Sequence, residues 1–188
     1  MEPGYTAMLR EQLSGAAYAC DEAGCMPEEL EQQAWGEQVS NQRECDVGAA
    51  RALSLYVQAL NVYERSLHPS NMLLGNTAHV AGRAAALVAR LSRGTQAVRS
   101  MQQAAHLFIR SHTVLSTHYR SNSPQAAFEL ALAAACLNAD PASRQGASNM
   151  WDSALRLLHL HFGEAALPAA KRHLQEQLGS ADVESMLA

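Results

Sequence analysis

Strand-forming sequence is what this 188-residue chain has least of: no stretch alternates Val, Ile, Thr or aromatic residues with polar ones, and aromatics amount to 5%. That excludes a sheet-based fold, because a half-buried strand needs period-two alternation. No apolar run reaches the length of a membrane span, and the opening MEPGYTAMLREQL is acidic and polar where a secretory leader is basic and then apolar. The expectation is a soluble, intracellular protein of the cytoplasm without membrane contact. Cysteine is sparse: Cys20, Cys25, Cys45 and Cys136. Cys20 and Cys25 are close enough for half of a zinc knuckle, but no second close pair completes it. Neither a disulfide framework nor a metal site is expected, and a reducing compartment is. His159 and His161, two apart on a helix, point to different faces. A glycine-rich phosphate loop and a Ser-His-Asp order are both missing, and Glu64, Glu129 and Asp152 are scattered over separate helices. No enzymatic activity and no cofactor are expected.

What the chain has in quantity is alanine, at 35 positions, within a composition of 48% apolar and 17% charged residues. This is a globular, helix-favouring mixture long enough for one domain with a real core or a short array of repeats. The net charge of −4 averages over an uneven distribution. Residues 1–50 carry ten acids against Arg10 and Arg43, and residues 51–120 carry eight arginines against Glu64 alone. Residues 121–188 return to a mild negative balance, so the middle third is a basic zone between acidic ends. Lys171 is the single lysine beside thirteen arginines, which fits a GC-rich genome as well as a preference for bidentate contacts.

Helical periodicity runs throughout. Met8, Leu9, Leu13 and Ala17 share one side of a short helix over 5–19, and Pro27 opens a second whose first turn holds Glu28, Glu29 and Glu31. Asp46 reads as an N-cap for a long helix that Pro69 stops. Ser70-Asn71 then caps a helix over 72–92 rich in Ala and Gly, and Arg93-Gly94-Thr95 makes the turn into one over 96–118, with Thr95 as cap. Ser123-Pro124 begins QAAFELALAAACLNA, expected to be the most buried helix, and Asp140-Pro141 to Gly146 interrupts the chain. A helix from Ala147 closes at Gly163, and a last one over 168–178 suits an outward-facing cap. Residues 1–45 read as acidic N-terminal helices and 46–188 as a helical-repeat domain.

Within that domain one template recurs. Ala52, Tyr56, Ala59, Leu60, Tyr63 and Leu67 fall at offsets 0, 4, 7, 8, 11 and 15, a continuous helical face. Ala97, Met101, Ala104, Ala105, Phe108 and His112 repeat those offsets, as do Ala147, Trp151, Ala154, Leu155, Leu158 and Phe162. Large residues at such spacing are usually core, so Trp151 is read as packing and not as a ligand platform. Each copy follows a separate helix and a turn. The expected fold is all-α: antiparallel helical hairpins stacked as a tetratricopeptide-like α-solenoid with a C-terminal capping helix. The periods of 45 and 50 exceed the roughly 34 residues of a standard unit, so helices or loops are lengthened.

The run Ala52, Tyr56, Ala59, Leu60, Glu64, Leu67 and Pro69 resembles the second helix of the long tetratricopeptide repeats of kinesin light chains. Leu67-His68-Pro69, Gly82 and Ser111-His112-Thr113 are also similar to the C-terminal helical domain of the SET- and MYND-containing lysine methyltransferases. The likeness covers residues 47–118 well and 123–163 loosely. The cofactor-binding residues and the zinc cluster of those enzymes have no counterpart, so the resemblance implies their helical part without the enzyme.

Function is sought on the basic zone. Asn76, His79, Arg83 and Arg90 lie on one side of the 72–92 helix, which lines the concave side of such an array. Guanidinium groups there would hold an acidic peptide or a C-terminal carboxylate. The leading expectation is a protein-interaction scaffold or adaptor, a subunit of a larger assembly that binds a protein or acidic peptide in a helical groove. A degenerate relative of the methyltransferases is the alternative. A nucleic-acid binder is disfavoured, since the chain is acidic overall and its few aromatics are committed to the core template.

Overall fold

The computed structural model describes residues 45–120 and 122–178, and among them there is no strand. Among the described residues six α-helices follow one another: α1 (Cys45–Ser66), α2 (Met72–Leu91), α3 (Thr95–Tyr119), α4 (Pro124–Leu137), α5 (Arg144–Phe162) and α6 (Ala166–Leu178). Short 3-10 turns at Pro141–Ser143 and Gly163–Ala165 lead into α5 and α6. None of these helices is long and apolar enough to cross a membrane. Of the acidic helices expected over residues 1–45, everything before Cys45, including Cys20 and Cys25, lies outside the described residues.

Local chemistry accounts for the helix ends. Asn71 Oδ1 accepts from the Leu73 amide at 2.9 Å to start α2, and Ser123 Oγ accepts from the Ala126 amide at 3.2 Å to start α4, with Pro124 in its first turn. Asp140 organises the break before α5. It accepts from the Ser143 hydroxyl at 2.8 Å, the Ala142 amide at 3.0 Å and Gln102 of α3 at 2.9 Å, and these bonds hold its carboxyl below the usual carboxylate range. Several expected boundaries move. Gly94 (φ 58) occupies the cap position and Thr95 is already helical. Helix α5 begins at Arg144, which places Gly146 inside it and not in the break. Asp46 lies within α1 and not ahead of it.

Each helix packs chiefly on the next in sequence, as short connections dictate. The α2–α3 pair is antiparallel and unusually close. Gly75 meets Val114, and seven residues further along α2 Gly82 meets Phe108, six residues back along α3. A Cβ at Gly82 would stand 2.8 Å from Phe108 Cε1, so the ring lies directly on the backbone there. Antiparallel pairing continues into α3–α4, where His112 Nδ1 donates to the Ala126 carbonyl at 2.8 Å while Gln102 and Asp140 meet at the other end. His161 Nε2 donates to the Asn122 carbonyl at 2.6 Å, tying the end of α5 to the start of α4.

The main core joins α1, α2, α3, α4 and α6 around Tyr56, Leu74, Phe108 and Leu132. A smaller cluster holds Ala127, Leu158, Ala166 and Ala170, and Trp151, itself half-buried, packs against both. Of the template residues, Ala52, Tyr56, Ala59, Leu60, Met101, Ala104, Phe108, Ala147 and Ala154 are buried, while Leu67 and Ala97 are half-buried. Phe162 stays 40% exposed, because α5 ends there and the chain turns away. As its composition implies, α4 is buried around most of its circumference.

Candidate partner-binding face

Helix α2 has two sides of different chemistry. The small side, with Gly75, Ala78, Gly82 and Ala89, is buried and lets α3 approach. The other side carries Asn76, His79, Arg83 and Arg90, spaced so that all four share one face. Asn76 and Arg90 are exposed; His79 and Arg83 are half-buried.

Two other helices come to that face. From α4, the buried Glu129 accepts a 2.7 Å hydrogen bond from His79 Nδ1 through Oε1, and the His79 ring also meets the edge of Phe108 with centroids 5.8 Å apart. From α6, the Leu178 carbonyl accepts from Arg90 Nη1 at 2.9 Å. Such a bond between a guanidinium and one of the last carbonyls of a helix is favourable in charge as well as geometry. Leu174 and Leu178 enter the main core beside it. The alternation of Lys171, Arg172, His173, Gln175 and Glu176 with Leu174 and Leu178 is what makes α6 read as an outward-facing cap. The structure corrects this for His173, which is half-buried and stacked on Phe128 of α4 with ring centroids 4.4 Å apart. The physical reason is that α6 packs on α5, α4 and α2 together, and α4 covers the His173 ring.

The arrangement is a basic and aromatic shelf with one buried carboxylate at its floor and a helix of the same chain lying on it. Charges of Glu129, His79, Glu176 and Arg83 all act on His173, which shows how tightly the three helices converge. The α2 residues share a face through their spacing. Glu129 and His173 come from other helices, 50 and 94 positions beyond His79, and no local pattern spans such distances.

Other surfaces are plainer. A groove of about 230 Å³ runs between α1 and α3, lined by residues that include Val57, Asn61 and Leu107, and Glu64 and Arg110 form an ion pair there. Both partners are well exposed, so the pair stabilises little. His106 is exposed. Asn149, Asp152, Ser153 and Arg156 border an open hollow along α5. Among the described residues no group of three or more His, Cys, Asp or Glu is arranged to hold a metal ion. Cys136 is buried, and desolvation pushes its thiol up to about 12.

No family model matches this sequence, and neither does any curated protein or solved structure.

Proposed function

We propose that this protein is a non-catalytic interaction scaffold, a tetratricopeptide-like array of helical hairpins in which the α2–α4 face receives a helical segment of a partner protein. The observation that carries the reading is that this face already receives a helix. Leu174 and Leu178 of α6 fill the apolar part, and Arg90 holds the terminal carbonyl. A partner helix with leucine or alanine every fourth residue reproduces the apolar contacts. Acidic residues along its flank meet Arg83 and Arg90, and a C-terminal carboxylate would replace the Leu178 carbonyl with a charge-assisted bond. The basic middle third of the chain adds attraction at longer range.

A photo-crosslinking residue at Asn76, exposed on this face, tests the proposal, with one at Asp152 on α5 as control. The expected result is a protein partner captured through an amphipathic segment from position 76 and not from position 152. Capture falls at least tenfold in the Arg83→Glu, Arg90→Glu double variant. Equal capture at both positions, or full retention after charge reversal, overturns the proposal.

A further inference from the structure

Helix α6 occupies the proposed partner face through a narrow apolar stripe. Its buried stripe is Ala166, Ala170, Leu174 and Leu178, two of them alanines that offer little apolar area. Seating it buries two of its own polar atoms, His173 Nε2 and Gln177 Oε1, with no partner from the protein, and Glu129 Oε2 of α4 is likewise buried without one. A polar atom of α6 buried without a protein partner opposes the docked state. The join to α5 is equally spare. Gly163 at φ 51 donates its amide to the His159 carbonyl, one 3-10 turn follows, and the flanking Leu160, Phe162 and Leu167 are 71%, 40% and 43% exposed. A helix joined through a single left-handed glycine pivots without disturbing the helix before it.

We propose that α6 is a displaceable strap, seated on the α2–α4 face in cis and exchanged there for a partner's amphipathic helix with the same four-residue apolar spacing. The proposal rests on the reading of that face as the partner site and adds its regulation. Acid favours release. Burial holds the His173 pKa below the ordinary histidine value. Glu129 of α4 and Glu176 of α6 favour the charged ring, and His79 and Arg83 of α2 oppose it. Docked α6 therefore keeps His173 neutral, and freed α6 takes up a proton below about pH 6.5. Docking is at full strength above that pH and weakens as pH falls through it, by at most about tenfold per pH unit.

Hydrogen exchange read by mass spectrometry on the full chain tests this, with α4 as internal reference and rates corrected for intrinsic pH dependence. The amides of α6 are expected to open at least tenfold more often than those of α4 near neutral pH. That opening should rise up to about tenfold on going to about pH 5.5. His173→Phe, which keeps the stack on Phe128, should abolish the rise; Leu178→Ala should increase α6 opening at every pH while leaving α4 unchanged. A synthetic peptide of residues 163–178, added in excess, should accelerate α6 exchange by taking its place. If α6 exchanges only together with α4, the strap is overturned. If α6 opens alone but the peptide leaves its exchange unchanged, replacement by a partner helix is overturned, and the crosslink from Asn76 decides separately whether the face binds a partner at all.

Discussion

Cys136 shows how far a single side chain here is governed by its surroundings. It sits fully buried in α4 among alanines, and burial alone raises its thiol to about 12. A folded-state pKa above the unfolded value of about 8.5 means that the neutral thiol is favoured on folding. The associated stability is complete below about pH 8.5 and is lost as pH rises towards about 12. At about pH 8, therefore, Cys136 in the native chain should resist a maleimide reagent, and peptide mapping should find it modified only after denaturation. Modification of Cys136 at the rate of a free thiol under native conditions would show that α4 opens locally.

The individual helices owe their limits to short-range chemistry, and these limits were largely legible in the residues. Asn71 and Ser123 stood out as caps because a short polar side chain before an apolar run has few other uses. Replacing Asn71 by Ala removes the bond to the Leu73 amide. It should cost about 1 kcal/mol, seen as a fall of a few degrees in Tm by circular dichroism, whereas Asn71→Ser should recover most of the loss. Boundaries that depended on a single residue type were less legible. Thr95 has a capping side chain, yet the backbone of Gly94 takes the left-handed conformation and begins the helix one residue earlier. Gly146, a breaker by composition, is carried within α5 because Asp140 has already ended the preceding turn.

For the molecule as a whole, periodicity identified the all-helical class and most of the buried face, since both follow from which residues share a side of a helix. The four α2 residues of the proposed site were legible for the same reason. Their true neighbours were not: Glu129, His173 and Leu178 arrive from α4 and α6 through packing between elements distant in the chain. The feature of that packing with the widest reach is its alanine content, which exceeds half of the buried apolar residues among those described. Alanine surrenders no rotamers on folding, so such a core forms at low entropic cost, and it also withdraws little hydrocarbon from water. Unfolding must then change the hydration of comparatively little apolar surface. The heat-capacity increment per residue, measured by calorimetry, should fall below the usual range of about 12–15 cal/mol/K, giving a stability curve that is broad and shallow in temperature.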